Sequence, residues 1–399
     1  QNSVNMSGAL YIFNPENDLS VANGGENYMP PPRARIIAED LAFLPVWYAE
    51  NGDDVIVPSE RYIDWMHSER ASLGCFSEVV LKGRLPDKNW TACIPWGWSP
   101  EIARRFLRMG VSDRLLPGNV LLKEQKRLYH RNQTLEILKG LRDYGIGDIP
   151  DLLPEELYTT ESVCRYIQSA PLTVLKAPWS GSGKGLSWGR GVYDTTLERW
   201  SRGILRRQGS IMGEPFYEKV QDFAMEFHSD GVSSVVFAGY SLFDTNKKGV
   251  YTGNILTGDA DILSCLSIYV ATERIESVKI ALQELLSVKV APYYKGYFGI
   301  DMMIYKENGK YRLNPCIELN LRMNMGVVSR IFYDRYTAPG SKGIYVVDYN
   351  PDSAALYTDH LTRTKDNPLI IHDGKIIKGY LSLSPLTPES HYRARVEIY

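Results

Sequence analysis

The chain has 399 residues, enough for two or three compact domains with substantial cores. Apolar residues make up 44% and charged residues 23%, and the formal net charge is -2, which is ordinary for a globular protein. A nucleic-acid-binding surface usually brings a basic excess, and a membrane helix needs about 20 consecutive apolar residues. The sequence has neither pattern, so we expect a cytoplasmic protein without a nucleic-acid or membrane partner.

The five cysteines are spread along the sequence. They form no CxxC pair, and no histidine lies at the spacing of a zinc finger. The sequence therefore indicates neither a disulfide framework nor a structural zinc site, and it favours a reducing compartment.

The first 115 residues alternate short apolar runs with helical patterns. The sequence predicts strands at 9–13, 55–57 and 91–94, with a helix at 33–44 between the first two strands. Ser99 and Pro100 mark the start of the next helix as N-cap and first helical residue, and Gly110 follows its end. Because a β-α-β order is typical of an open, mostly parallel sheet, we expect an N-terminal α/β domain at 6–118.

The remainder of the chain has a different order of elements. The sequence predicts two basic amphipathic helices within 119–142, followed by a short helix capped by Thr160 and a strand at 172–177. Paired strands at 216–227 and 233–243 and a helix at 271–286 are predicted next. Asn308-Gly309 and Asp373-Gly374 predict two hairpins, over 296–319 and 369–383. We expect two further domains, at 119–213 and 214–399.

A glycine-rich segment, 181–191, follows the strand that ends at Lys176. A P-loop would need glycine in place of Pro178 and Ser or Thr in place of Gly185, so that pattern fails twice. The GxSxG string around Ser187 lacks the strand before and the helix after that a hydrolase nucleophile requires. Exposed N–H groups of small residues can still form a nest for phosphate oxygens, with Lys184 adding charge. A flexible surface loop is the alternative.

The predicted hairpin around Asn308-Gly309 carries the residues with the most chemistry. A two-residue turn places Glu318 opposite Gly299 and Asp301 opposite Cys316, so the two carboxylates are expected to be diagonal neighbours on one face, roughly 7 to 8 Å apart. Two carboxylates and the amide of Asn320, on the same face, are hard ligands that suit Mg²⁺. A solvent-facing hairpin with charged residues is the alternative.

Pro315 complicates this hairpin. Proline cannot donate a ladder hydrogen bond, so it indicates an edge or a bulge that would shift the register beyond it. The sequence thus predicts the hairpin but leaves its register open.

In this order, four segments resemble the ATP-grasp superfamily of carboxylate ligases over about residues 120–330. They are the strand ending at Lys176 with its glycine-rich segment, Phe-Tyr-Glu-Lys-Val at 216–220, Gly-Ile-Asp at 299–301, and Glu318-x-Asn320-x-Arg322. The resemblance implies a two-lobed nucleotide-binding fold behind the N-terminal α/β domain. The 17-residue spacing between Asp301 and Glu318 is longer than this family leads us to expect, which implies a longer turn or a bulge.

The resemblance also implies ATP and Mg²⁺ as cofactors, with two ions and with Mn²⁺ as a substitute. The implied ATP contacts are Lys126 (with Lys123 as competitor), Lys176, Gly181, Ser182, Gly183, Lys184, Gly185, Glu218, Lys219, Val220 and Glu226. Lys176 would hold the α- and β-phosphates, 218–220 the adenine, and Glu226 the ribose. The implied metal ligands are Asp301, Glu318 and Asn320, and the implied catalytic groups are Arg322 and Lys184.

Two loops near the N-terminus are candidate substrate sites. Loops at the carboxyl ends of parallel strands line the ligand crevice of open α/β sheets. The residues concerned are Asn14, Glu16, Asn17, Arg33, Trp96 and Trp98. Ordinary turns and core tryptophans are the alternative at these positions.

The reaction that the resemblance implies joins a small-molecule carboxylate to an amine or thiol through an acyl phosphate, with ADP and phosphate as products. Lysines, an arginine and metal carboxylates suit phosphoryl transfer, which depends on positioning and charge neutralisation. A small-molecule kinase on the same fold and a nucleotide-binding protein without turnover are the alternatives. We also allow for a homodimer, and the sequence identifies neither organic substrate.

Overall fold

The computed structural model describes residues 8–60, 72–74, 77–181, 185–245 and 251–399. The strands in these residues are β1 (Ala9–Ile12), β2 (Asp54–Val57), β3 (Glu78–Leu81), β4 (Ala92–Pro95), β5 (Glu155–Leu157), β6 (Thr173–Lys176), β7 (Leu186–Gly189), β8 (Ile211–Pro215), β9 (Glu218–Asp230), β10 (Val235–Thr245), β11 (Tyr251–Leu256), β12 (Lys295–Glu307), β13 (Lys310–Asn320), β14 (Gly343–Tyr349), β15 (Ile370–His372), β16 (Lys375–Ser382) and β17 (Tyr392–Ile398).

The α-helices in the same residues are α1 (Asn17–Asn23), α2 (Pro32–Asp40), α3 (Pro100–Arg108), α4 (Asn119–Leu128), α5 (Gln133–Asp143), α6 (Thr160–Gln168), α7 (Thr195–Gln208), α8 (Asp259–Ser267), α9 (Thr272–Lys289), α10 (Met325–Tyr336) and α11 (Ser353–Asp366). In the described part of the chain, no helix combines the length and the apolar character needed to cross a membrane.

The chain divides into two compact units. The first unit comprises Gln1–Leu122, Thr252–Gly258 and Asn324–Tyr399, and the second comprises Lys123–Tyr251 and Asp259–Met323. These units group the chain differently from the expected domains at 6–118, 119–213 and 214–399, and that division stays a prediction.

The first unit contains the predicted parallel sheet, with strand order β3-β2-β1-β4. Its apolar face packs against α3, where Ile102 and Phe106 are fully buried beside Leu10. The side chain of Ser99 accepts a hydrogen bond from the backbone N–H of Ile102 at 3.3 Å, which confirms the predicted N-cap. This sheet positions the loops that follow β1 and β4.

The helix predicted at 33–44 is shorter in the structure. It ends at Asp40, and a separate 3₁₀ turn occupies Leu44–Trp47. Pro45 has no N–H and cannot continue an α-helix. The turn buries Trp47 completely, and the indole N–H donates to the carbonyl of Leu383 at 2.7 Å.

The first unit also holds antiparallel strands in the order β11-β14-β17-β16-β15. The hairpin predicted at Asp373-Gly374 is confirmed, with φ of 49° and 70° at the two turn residues. Strand β17 lies beyond the last element predicted from the sequence, and it contains Arg393 and Arg395. Both arginines are buried, each within 2.7 Å of the carboxylate of Asp348.

One sheet of the second unit has the order β5-β8-β6-β7 and is antiparallel. It packs on α6 and α7 through a core that includes Leu175 and Ile211. The N-cap of α6 is Thr159, not Thr160 as predicted, because Thr159 and Ser162 form a reciprocal capping box. Ser187 lies within β7, antiparallel to β6, so it has no nucleophile-elbow geometry.

The other sheet of the second unit has the order β13-β12-β9-β10 and carries the candidate site. Its hairpin turns at Asn308-Gly309, with φ of 50° and 75°, as predicted. One face packs against α5, α8 and α9 in an extensive apolar core. The alternation of apolar and polar residues along β9 and β12 therefore gives the sheet a second, polar face.

Candidate nucleotide and metal site

The hairpin of β12 and β13 changes register before it reaches the predicted metal ligands. Met303 pairs with Asn314, whereas Asp301 pairs with Glu318. The expectation that Asp301 faces Cys316 is therefore wrong, and the two carboxylate residues are directly opposite rather than diagonal. Because the register moves by two residues, Asp301 and Glu318 remain on the same face, as predicted.

The residues that cause this shift form a bulge at 315–317. Proline at 315 cannot donate to the ladder. The side chain of Asn314 accepts a hydrogen bond from the N–H of Cys316 at 3.2 Å, and Thr134 of α5 donates to the carbonyl of Ile317 at 3.2 Å. The bulge is thus held by side chains on both sides, which fixes the direction of Glu318.

The polar face of this sheet brings the predicted ligands together with the predicted ribose contact. Glu226 pairs with Gly299, which pairs with Asn320 in turn. The residues that share this face by alternation are Asp222, Glu226, Ser241, Asp301, Glu318 and Asn320. Glu226 is only 1% exposed. Burying several carboxylates together is costly unless cations or hydrogen-bond donors lie close to them.

The charge of the site disfavours an ionised Asp301 in the absence of a cation. Burial, and after it the charge of Glu318, raise the pKa of Asp301 to about 7, although the hydrogen bond from Asn320 and the charge of Arg322 act in the opposite direction. A cation between the two carboxylates would remove this penalty. No group of three or more His, Cys, Asp or Glu side chains suited to a metal occurs in the described residues. A metal here would use two carboxylates, the Asn320 amide and phosphate or water oxygens, as Mg²⁺ does.

Lys176 lies at the end of β6 and is buried. Its Nζ lies 2.5 Å from Oε2 of Glu214, which is buried on the neighbouring strand β8. Glu214 is not among the residues predicted from the sequence, because the pairing of β6 with β8 brings together residues that are far apart in the chain. The two residues form a buried ion pair at the predicted phosphate-contacting position.

Arg131 is a second residue of the site that is not predicted from the sequence. It lies in the turn between α4 and α5, and its Nη1 lies 2.8 Å from Oε2 of Glu318. Its Nη2 donates to the carbonyl of Ser180 at 3.0 Å. The basic composition of 119–142 is the available sequence signal, but it does not distinguish Arg131 from the other cations there.

The glycine-rich segment is described only in part. Ser182, Gly183 and Lys184 lie outside the described residues. The carbonyl of Gly185 accepts a hydrogen bond from the N–H of Ala177 at 2.8 Å, so the chain returns to the end of β6 there. Gly185 has a φ of +76°, and an added Cβ would lie 2.8 Å from Ser180 Cβ, which explains why glycine suits this position. Gly181, the other described glycine of the predicted contacts, is buried.

Lys126 on α4 lies close to the start of this segment. Its Nζ is 5.0 Å from the centre of the Trp179 ring, and the Trp179 indole N–H donates to the Lys126 carbonyl at 2.9 Å. Burial lowers the pKa of Lys126. Its competitor Lys123 is exposed. The geometry therefore favours Lys126 as the second lysine of the candidate site.

The predicted adenine contacts, Glu218, Lys219 and Val220, lie within β9. Glu218 pairs with Lys306 and Lys219 with Tyr305, so this stretch belongs to the sheet ladder. The connection between β8 and β9 is formed by residues 216 and 217. Nζ of Lys219 lies 2.6 Å from Oδ2 of Asp222 on the polar face, a carboxylate that the sequence analysis did not select. Arg322 follows the end of β13, and its Nη1 donates to the Met323 carbonyl at 3.2 Å.

The first unit places the candidate substrate loops at one edge of the parallel sheet. Asn14 follows β1 and is buried, and its amide donates to the carbonyl of Gly97, which follows β4, at 2.9 Å. Trp96 is 4% exposed and packs edge-on against Phe13, with the centres of the two rings 4.9 Å apart. Trp98 is half-buried and packs against the core between the parallel sheet and α3. Trp96 is therefore a core residue at this edge.

The other substrate candidates also have partners within the first unit. Glu16 is buried and lies 2.8 Å from Nη2 of Arg105, and Asn17 is buried at the start of α1. Arg33 is exposed; its guanidinium lies 4.1 Å from the centre of the Tyr349 ring and donates to the Tyr392 hydroxyl at 3.0 Å. Whether these residues contact a substrate stays a prediction.

No protein-family model matches the sequence, and no curated protein matches it. Solved structures do match. Pyruvate carboxylase from Rhizobium etli has a TM-score of 0.54 at 14% identity, over 98% of this chain and 35% of that chain. Biotin carboxylase from Campylobacter jejuni, in a β-γ-ATP complex, has a TM-score of 0.52 at 11% identity, over 98% and 87%.

A third match is the biotin carboxylase domain dimer of the 2-oxoglutarate carboxylase of Hydrogenobacter thermophilus, in complex with MgADP, ADP and bicarbonate. Its TM-score is 0.51 at 13% identity, over 98% of this chain and 86% of that chain. At such low identities the likeness concerns the fold.

Proposed function

The chain has the ATP-grasp fold, as these enzymes do, and we propose that it is an ATP- and Mg²⁺-dependent ligase that joins a small-molecule carboxylate to an amine. The observation that carries this proposal is the polar face on which Asp301 lies directly opposite Glu318 with Asn320 beside them. A protein that only bound a nucleotide would have little use for this ligand set.

In this proposal ATP lies against the polar face. Lys176 and Lys126 contact the α- and β-phosphates, and the glycine-rich segment from Gly181 to Gly185 covers the triphosphate. Glu226 accepts from the ribose hydroxyls. The adenine lies along the chain from residue 216 to Val220, where backbone groups of the connection between β8 and β9 supplement those of 218–220.

Mg²⁺ would be held by Asp301, Glu318 and Asn320, and it would neutralise charge that builds up on the phosphates. Two ions are proposed, and Mn²⁺ would substitute because it accepts the same oxygen ligands. Arg322 and Lys184 would contact the transferred phosphoryl group.

The proposed reaction has two steps. A carboxylate oxygen of the substrate attacks the γ-phosphorus, the bond to the β-phosphate oxygen breaks, and ADP leaves. The amine then attacks the acyl carbon, phosphate leaves, and the amine proton passes to solvent. A thiol would react in the same way and give a C–S bond.

The carboxylate and amine are proposed to contact the loops that follow β1 and β4. This part of the proposal rests on Asn14, Glu16 and Asn17 at the carboxyl edge of the sheet, and on the exposed Arg33. The proposed location is cytoplasmic, and a homodimer is proposed by analogy with the dimer of the Hydrogenobacter domain.

The first test is the melting temperature with a non-hydrolysable ATP analogue, with and without Mg²⁺. A ligand that binds only the folded protein raises the melting temperature by mass action. We expect a Mg²⁺-dependent rise that Lys176→Ala removes and that Lys123→Ala, at an exposed lysine of the same region, leaves unchanged. No rise at millimolar analogue in the wild type would contradict the proposal.

Product analysis then separates the ligase from a kinase. Carboxylate and amine pairs are screened for ADP release and for inorganic phosphate. A ligase needs both acceptors and releases phosphate, whereas a kinase needs one acceptor and leaves the phosphoryl group on it.

A further inference from the structure

Arg131 joins two parts of the candidate site that are distant in sequence. Its backbone N–H donates to the carbonyl of Pro178 at 3.0 Å, and its Nη2 donates to the carbonyl of Ser180 at 3.0 Å. Its Nη1 lies 2.8 Å from Oε2 of Glu318. The side chain is only 6% exposed, so this is not a mobile surface arginine.

Residues 178–180, which we call the stem, directly precede the glycine-rich segment, and hydrogen bonds from several parts of the second unit fix their position. The N–H of Trp179 donates to Gln208 at 2.9 Å, and the Gln208 amide donates back to the Trp179 carbonyl at 3.2 Å. The indole of Trp179 also donates to α4. The stem therefore has a fixed position, and Arg131 relates that position to Glu318.

The ion pair with Arg131 also affects how Glu318 can bind a metal. An arginine on one carboxylate oxygen fixes the plane of the carboxylate and leaves the second oxygen able to bind a cation. Arg131 partly neutralises Glu318, which lies opposite Asp301. Groups that hold a metal ligand in this way affect metal affinity by about 10–100-fold.

We propose that Arg131 is a positioning residue that couples Mg²⁺ binding at Asp301 and Glu318 to the position of the stem. This inference rests on the proposed function, because it takes Glu318 to be a metal ligand. Arg131 contacts neither the metal nor the reacting atoms. Arg131 holds Glu318 in the orientation that the metal needs. Through its hydrogen bond to Ser180 it also connects this carboxylate to the stem, which precedes the proposed phosphate-binding segment.

The test is calorimetric titration of ADP into the full chain, with Mg²⁺ and with EDTA. We expect Arg131→Met to weaken binding of MgADP by about 10–100-fold and binding of ADP in EDTA by less than about threefold, because only the former uses Glu318. Arg131→Lys restores part of the MgADP affinity, since an ammonium group keeps the charge but lacks the two-sided fork of arginine. Arg127→Met is the control, because Arg127 is exposed on α4 and pairs with Glu124 at 2.9 Å.

The outcomes separate this inference from the proposed function. If the wild type binds no MgADP, the proposed function fails and the inference fails with it. If the wild type binds MgADP but both Arg131 variants bind it as Arg127→Met does, only the inference fails. Equal losses with Mg²⁺ and with EDTA indicate a merely structural role and also overturn it. If Arg131→Met does not fold, as judged by circular dichroism, the comparison of Arg131→Lys with the wild type decides.

Discussion

Nζ of Lys176 lies 2.5 Å from Oε2 of Glu214, and both side chains are less than 10% exposed. Removing one partner of a buried ion pair leaves the other charge uncompensated, which costs about 3–5 kcal/mol. A phosphate group near Lys176 would supply the missing negative charge. The state of this pair is therefore expected to depend on the nucleotide.

We expect Glu214→Gln to lower the free energy of unfolding by about 3–5 kcal/mol without ligand and by clearly less with saturating MgADP. Denaturant unfolding of the wild type and the variant, with and without MgADP, measures the difference. Glu198→Gln serves as control, because the Glu198–Arg202 pair is exposed and contributes about 0–1 kcal/mol. An equal loss with and without nucleotide would argue that no phosphate lies near Lys176.

Glu318→Gln is expected to abolish ADP formation while leaving the fold intact. The substitution removes the ion-pair partner of the buried Arg131, but the amide keeps a hydrogen-bond acceptor for it and ends the repulsion between Glu318 and Asp301. We therefore expect a lower melting temperature but a cooperative unfolding transition, as for a folded protein. Turnover and the melting temperature are measured side by side. Glu307→Gln, on the same hairpin and weakly paired with Arg312 at 3.6 Å, is the control. Retained turnover in Glu318→Gln would remove this residue from the metal site.

The cysteines should differ widely in reactivity toward iodoacetamide at pH 8. The thiolate is the reactive form, and burial raises the pKa of Cys93 to about 12 and also raises the pKa of Cys316. Cys265 is exposed. Mass spectrometry after digestion should find Cys265 alkylated in the native protein, and Cys93 and Cys316 alkylated only after denaturation. Rapid native labelling of Cys316 would mean that the bulge at 315–317 opens readily.

Asn14→Ala should destabilise the protein whether or not Asn14 contacts a substrate. The side chain is buried, and it donates to the Gly97 carbonyl at 2.9 Å, so its loss leaves a buried acceptor unsatisfied and costs about 1–3 kcal/mol. Asn27→Ala is the matched control, because Asn27 is exposed and accepts from Arg108. Chemical denaturation tests this, and equal effects of the two substitutions would contradict the structural role.

The sequence predicts those parts of the fold that depend on local signals. Asn308-Gly309 and Ser99-Pro100 mark a turn and a helix start through preferences of the residues themselves. Alternation along β9 predicts a strand with one apolar face. The ATP-grasp resemblance adds the order of the elements, and the structure confirms the parallel sheet and both hairpins.

Long-range geometry is what the sequence does not contain. Pro315 indicates a bulge but not its size, so the pairing of Asp301 with Glu318 cannot be predicted from the sequence. The contact between Lys176 and Glu214 depends on which strands become neighbours. Arg131 is one cation among several until the turn between two helices aims it at Glu318.

The two-residue shift in the hairpin has a consequence for how this chain tolerates changes in length. Side chains of a strand alternate between its faces, so inserting or deleting one residue at 315–317 would turn Glu318 and Asn320 toward the apolar core. A change of two residues would only slide them along the polar face. Insertions or deletions in this hairpin are thus compatible with metal binding only when they comprise an even number of residues. The observed shift is of this kind, because Asp301 pairs with Glu318, two residues beyond the Cys316 that a hairpin without a bulge would place opposite it.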